Sequence, residues 1–210
     1  MKTNLSVLRL CFCLFFIFPI LQGCFPIIAA GIGTGAIVAE DRRTTGAYLE
    51  DQSIDVKVGS RIGDKFGDKV HVNVSSYNRS VLLTGEVSSE AIKAEVGKIV
   101  QGVDNVRNVV NELTVAGASS FGTRTNDTFI TSKVKARFVE ANKFQANIVK
   151  VVTENSVVYL RGIVTKQEAD EATEIARNTS GVQKVVKVFE YIAVAPKKTP
   201  VKENNPSTDG

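Results

Sequence analysis

Few residues in this 210-residue chain could carry acid–base or covalent chemistry, and their spacing argues against it. His71 is the single histidine, so the serines, threonines and cysteines lack the adjacent base that activates a nucleophile, and no nucleophile-elbow motif is present. No His/Cys group has the spacing of metal ligands. Glu168, Asp170 and Glu171 fall within four residues, but they read as the acidic first turn of a helix, where carboxylates meet the positive end of the dipole. Gly31-x-Gly33-x-x-Ala36 touches the dinucleotide fingerprint, but that fingerprint needs a preceding strand and a following helix in a βαβ unit, and here it sits beside a segment that reads as a membrane anchor. An enzyme, a metal centre, a cofactor and a small-molecule substrate are therefore not expected.

A non-covalent surface is the stronger candidate. Ile130, Val134 and Phe138 recur every four residues, one face of a helical period. With that face inward, Phe129, Lys133, Ala136 and Arg137 lie on a neighbouring exposed face, and Lys135 on its flank. An aromatic beside Lys and Arg on a short amphipathic helix suits a membrane interface: the ring enters the acyl boundary and the cations meet phosphate. Each basic group near an anionic surface contributes about 1 kcal/mol. The same pattern also suits a helix whose Phe129 packs against the rest of the protein, with Lys133 and Arg137 solvated.

The elements around this helix form an internal repeat. Val81-Leu82-Leu83-Thr84-Gly85-Glu86-Val87 matches Val158-Tyr159-Leu160-Arg161-Gly162-Ile163-Val164, and Gly102-Val103-x-x-Val106 matches Gly181-Val182-x-x-Val185. Ile54, Val58 and Ile62 match Ile130, Val134 and Phe138. Blocks in one order at nearly constant offset mean two homologous units, expected at 51–115 and 127–194 with a small-residue linker at 116–126. Each unit reads as helix, strand, strand, helix, strand. In the second unit Asn126-Asp127-Thr128 offers an N-cap, Val149, Val151 and Thr153 share a strand face, and Glu154-Asn155-Ser156 is a turn. Thr165-x-x-Glu168 is a capping box for a helix with the stripe Ala169, Ala172, Ile175 and Ala176. The counterparts of Phe129, Lys133 and Arg137 in the first unit are Ser53, Lys57 and Arg61, so the charges recur without the aromatic. His71 aligns with Ile148 and reads as a strand residue, and Gly85 and Gly162 as sites of close backbone approach. The fold class is α+β: two tandem αββαβ domains, each a three-stranded mixed sheet with two helices. Units of this size make thin cores, so the two are expected to pack on each other.

The ends read differently. Hydrophobic residues make up 43% and charged residues 23% of the chain, an ordinary globular balance. Formal net charge is +4, and removing Lys2 and Arg9 leaves 24 basic against 22 acidic residues, which makes no case for nucleic acid. Met1 to Arg9 is a basic n-region and Leu10 to Leu21 an apolar run, followed by Leu21-Gln22-Gly23-Cys24. That sequence resembles the bacterial lipobox. The resemblance implies a signal peptide at 1–23 and lipidation of Cys24, where buried acyl chains such as palmitate contribute about 0.8 kcal/mol per CH₂. Residues 24–50 then form a lipidated flexible tether. By resemblance to enterobacterial lipoproteins, Phe25 rather than aspartate after Cys24 favours the outer membrane, with the chain facing the periplasm. Residues 195–210, with Pro196, Pro200 and Pro206, have little to bury and are expected to be disordered.

Leu83-Thr84-Gly85-Glu86-Val87 and Leu160-Arg161-Gly162-Ile163-Val164, each followed by a helix and Gly-Val-x-x-Val, resemble the BON domain, a small αββαβ module of bacterial envelope proteins. The block Asn126–Lys135 and Val151-Val152-Thr153-Glu154-Asn155 carry the likeness furthest. The resemblance implies binding of anionic phospholipid through the first helix of the second module, with a role in envelope integrity at division sites. It places Phe129 where a family member has tryptophan; phenylalanine keeps the apolar wedge but loses the indole N–H. A non-enzymatic adaptor that holds envelope assembly or stress proteins is the alternative.

Overall fold

The structure, a computed structural model, describes residues 41–194. The expected signal peptide, Cys24, the glycine-rich run at 31–36 and the tail 195–210 lie outside the described residues. The first module comprises α1 (Thr45–Phe66), β1 (His71–Tyr77), β2 (Ser80–Val87), α2 (Glu90–Gln101), β3 (Asn108–Asn111) and β4 (Thr114–Val115). The second comprises α3 (Phe121–Ala141), β5 (Lys150–Glu154), β6 (Val157–Val164), α4 (Lys166–Arg177) and β7 (Lys184–Tyr191). In each, a tight hairpin makes the first two strands antiparallel, and a helical crossover returns the last strand parallel to the second. The result is the α+β, αββαβ duplication. One detail differs between the copies. The last strand of the first module is split into β3 and β4, both paired with β2, and Leu113 at the break turns into the core.

Apolar periodicity builds both cores. Ile54, Val58 and Ile62 of α1 pack on Val81, Leu83 and Val87 of β2 and on Val96 and Val100 of α2. Ile130, Val134 and Phe138 of α3 meet Val149, Val151, Val158, Leu160 and the Ala169-Ala172-Ala176 stripe of α4. Alanine along α4 lets that helix lie close to the sheet. Its start is locked by the capping box, with the Thr165 hydroxyl accepting from Glu168 N–H and the Glu168 carboxylate accepting from Thr165 N–H. At Gly85 and Gly162 an added Cβ would stand 2.1 Å from His71 O and 2.4 Å from Ile148 O; only glycine lets the neighbouring strand backbone come this near.

Both first helices start earlier than composition suggested. Helix α1 begins at Thr45, within the span expected to be tether, with the Thr44 hydroxyl accepting from Ala47 N–H. Helix α3 begins at Phe121, within the expected linker, capped by the Ser120 hydroxyl on Thr123 N–H. Small polar residues lower helix propensity, but a good N-cap stands at Thr44 and at Ser120 and no proline lies between either cap and its apolar stripe, so each helix propagates back to its cap. The expected cap at Asn126-Asp127-Thr128 is thus inside the helix. Asp127 is buried and turned inward, accepting from Asn155 N–H at 2.9 Å and Ser156 N–H at 2.8 Å. Asp51 does the same for Asn78 N–H and Arg79 N–H at 2.8 and 2.7 Å. All four turn residues have positive φ, the backbone of a two-residue hairpin of the primed type. A helical carboxylate therefore holds each β-hairpin closed in a conformation that its own side chains disfavour.

The second face of each sheet joins the modules. Residues directly opposed in an antiparallel pair share a face, so His71, Asn73, Ser75 and Tyr77 of β1 line up with Glu86, Thr84, Leu82 and Ser80 of β2. This face points away from the helices, yet Leu82, Thr84 and Glu86 are buried. The sheet of the second module covers it. Arg161 of β6, 1% exposed, donates to Ser75 O and, at 2.6 Å, to Ser80 O. Lys150 donates to Ser76 O at 3.2 Å, Asn155 to Glu86 at 2.7 Å, Asn73 to Glu154 at 2.7 Å, and both Asn78 and Arg107 to Glu190 at 2.8 Å. Burial pulls the Arg161 guanidinium down to about 10 and the Lys150 ammonium below its ordinary range.

The segment before α1 is drawn to the second module as well. Arg42 makes two 2.7 Å bonds to Glu168 and one of 2.8 Å to Ile163 O. Those Arg42 bonds, ahead of the opposing effect of burial, hold the Glu168 carboxyl below its usual range. A lowered carboxylate pKa contributes stability that is complete above the unfolded-state value and lost as pH falls through the folded one. Protection of the Arg42 guanidinium N–H groups from solvent exchange is expected to stay unchanged from pH 8 to about 5, then collapse below about 4. Release already near pH 6 would contradict this tie.

Candidate functional site

Helix α3 buries one stripe and leaves the opposite one to solvent. Phe121 is 85% exposed, Phe129 61% and Val139 68%. At 100° per residue these three fall within a quadrant centred opposite Ile130, Val134 and Phe138. Ala136 is exposed between them and Lys135 on their flank, and Lys135 has no hydrogen-bond or ion-pair partner among the described residues. Phe129 therefore points outward, and two apolar neighbours that the sequence pattern did not single out share its face. Phe121 was hidden because its segment read as linker. The N-capping serine directly before it is the signal that could have found it.

Two of the expected cations are otherwise engaged. Lys133 and Arg137 are half-buried, and each reaches the C-terminal end of α4. Lys133 donates to Ser180 O at 2.5 Å while its ammonium lies 4.8 Å from the Phe129 ring centroid. Arg137 donates to Asn178 O and meets the Thr179 hydroxyl at 3.5 Å. Both satisfy carbonyls of the cap and turn that follow α4, near the negative pole of the helix dipole. The expected freely exposed Lys133–Arg137 face is corrected accordingly. The first module explains the recurrence of the charge: Arg61 donates to Gly102 O at 2.8 Å, at the end of α2. A basic residue at this position is part of how the module folds.

The accessible polar groups lie on the other flank of Phe129. A cavity of about 430 Å³ beside α3 is lined by Arg124, Thr128, Thr131, Ser132 and Lys135, together with Asp127 and Glu154. Arg124 is exposed and donates to Ser119 O at 2.9 Å. Hydroxyls and two cations beside an exposed ring can receive a phosphate ester while the ring enters an apolar phase.

Helix α1 is a partial match. Ser53 and Lys57 stand where α3 has Phe129 and Lys133, but α1 exposes Leu49 (62%) and Val56 (73%) one above the other. The first module thus has its own apolar stripe at different positions. The acidic trio Glu168, Asp170 and Glu171 does not converge: Glu168 caps α4 and binds Arg42, and Glu171 pairs with Gln167. No described helix is long and apolar enough to cross a membrane.

The BON domain family model matches residues 50–117 and 126–193, one match for each module. The chain is 38% identical to the outer membrane lipoprotein DolP of Haemophilus influenzae over 174 residues, covering 82% of this chain and 90% of that protein. It is 30% identical to a 21 kDa hemolysin of Actinobacillus pleuropneumoniae, covering 72% and 79% of the two chains. Osmotically-inducible protein Y of Escherichia coli is 28% identical, with coverage of 76% and 89%.

Proposed function

The chain belongs to the BON-domain family, and on that footing we propose that it reads anionic phospholipid at the bacterial outer membrane through the exposed face of α3. The observation that carries this reading is one helix face presenting Phe121, Phe129 and Val139, flanked by Lys135, which has no partner among the described residues. The likeness to an outer membrane lipoprotein supports attachment through Cys24, with both modules in the periplasm. Tethering raises the effective concentration of a weak lipid contact, so one wedge and one or two cations suffice. The contact supports envelope integrity, and anionic lipid at division sites would concentrate the protein there. The protein is not an enzyme in this reading; its work is recognition.

The role of each residue follows from its contacts. Phe129 and Phe121 insert, Ala136 permits close approach, and Lys135 with Arg124 meets headgroup phosphate. Lys133 and Arg137 hold the helix against α4 and orient the face. Replacing Lys135 by Glu is expected to weaken binding to phosphatidylglycerol vesicles about tenfold, with the loss fading at high salt. Replacing Arg137 by Ala is expected to act mainly on the thermal midpoint. NMR titration of residues 41–194 with anionic micelles tests the assignment: amide shifts confined to α1 would overturn it.

The adaptor reading rests on the exposed Leu49–Val56 stripe of α1. Capture of a defined envelope protein that survives Phe129→Glu and fails in Leu49→Glu would favour it.

A further inference from the structure

Spacing along the chain gave no metal-ligand group, but folding creates one. His71 and Glu86 are directly paired across β1 and β2, which stands both side chains on the face that meets the second module. Glu154, at the end of β5, comes from the opposite sheet. One ligand atom from each of the three lies within 4.8 Å of the others, and His71 Nδ1 is 2.8 Å from Glu86 Oε2.

The charge balance of this cluster is unusual. Glu86 is 3% exposed and Glu154 6%, so two buried carboxylates face one another. Their partners are the Asn155 and Asn73 amides, Ser119 N–H and the His71 ring. No lysine or arginine bonds either of them among the described residues. Buried carboxylates repel unless a cation lies between them. Water can reach the cluster, because cavities of about 360 and 430 Å³ open on the two sides of His71.

The repeat supplies an independent observation. At the positions equivalent to His71, Glu86 and Glu154, the other module carries Ile148, Ile163 and Tyr77. The three groups are therefore no part of the shared αββαβ plan. They stand where each copy departs from its twin, and the departures converge on one spot between the modules.

We propose that His71, Glu86 and Glu154 form a divalent-metal site that clamps the two modules together. One imidazole nitrogen and two carboxylate oxygens with room for water suit Zn²⁺ best, since three protein ligands and a water complete a tetrahedron. Binding between modules ties the ion to their docking, because a ligand held only by the docked form stabilises that form.

The single histidine makes the test direct. The full-length protein in detergent is titrated with zinc chloride while the imidazole signals of His71 are followed by NMR, and affinity is measured against a chromophoric chelator. The expected result is saturable shift or broadening of the ring signals at one equivalent, and a higher thermal midpoint. Glu154→Gln is expected to lower the affinity at least tenfold, by analogy with the loss of groups that support a metal site. Zinc held elsewhere on the protein would leave the ring signals in place and persist in His71→Asn, which would overturn the site. Ring signals unmoved at large zinc excess, or affinity unchanged by Glu154→Gln, would overturn the site.

Discussion

Phe129→Glu is expected to weaken binding of residues 41–194 to phosphatidylglycerol vesicles by roughly 30-fold, and to leave the fold unchanged. Moving a phenylalanine side chain fully from water into an apolar phase is worth about 1.5–3 kcal/mol. Phe129 is 61% exposed, so more than half of that gain is open to a membrane. The substituted carboxylate adds repulsion from an anionic surface. Because Ile130, Val134 and Phe138 rather than Phe129 hold α3 in the core, the unfolding free energy from urea denaturation should change by less than about 0.5 kcal/mol. Co-sedimentation with vesicles across a lipid series measures the first quantity, and denaturation monitored by circular dichroism the second. Equal binding by the variant and the unaltered protein would refute the wedge. Loss of binding with a large drop in stability would show instead that Phe129 packs against something.

Asp127→Ala is expected to cost about 3 kcal/mol and to lower the thermal midpoint by roughly 6–12 °C for a protein of this size. The carboxylate is buried and accepts two N–H groups from the β5–β6 turn. Alanine leaves both donors without a partner inside the protein. It also removes the compensation for holding Asn155 and Ser156 at φ 48° and 62°. Asp51→Ala should cost at least as much, because Asp51 also accepts from Arg43 at 2.8 Å. Urea denaturation of both variants provides the comparison. A change below about 0.5 kcal/mol in Asp127→Ala would mean that the turn stands without its clamp.

These two residues sit two apart on one helix and read very differently from the chain alone. Phe129 could be placed beside the core stripe because Ile130, Val134 and Phe138 repeat at helical spacing, and a helical face follows from three residues. Asp127 looked like an N-cap because an Asn-Asp-Thr run before an apolar stripe is a sound local signal. Its true partner is the backbone of a hairpin 28 residues away, which no local pattern marks. Lys133 and Arg137 show the same limit. Their charge was legible, but the carbonyls they satisfy belong to the end of α4 at Asn178 and Ser180.

The duplicated αββαβ plan, the core stripes, the Thr165–Glu168 capping box and the need for glycine at 85 and 162 were all written in the order of residues. Each depends on neighbours within a turn, a strand pair or a repeat offset. The docking of the two sheets was settled only by tertiary structure. Positions 71, 84 and 86 differ from their counterparts 148, 161 and 163, and one unit read against the other shows those differences only as mismatches. Folding brings Arg161 to Ser75 and Ser80, and Glu86 to Asn155, because two sheet faces too polar to form a core of their own must satisfy each other's buried groups.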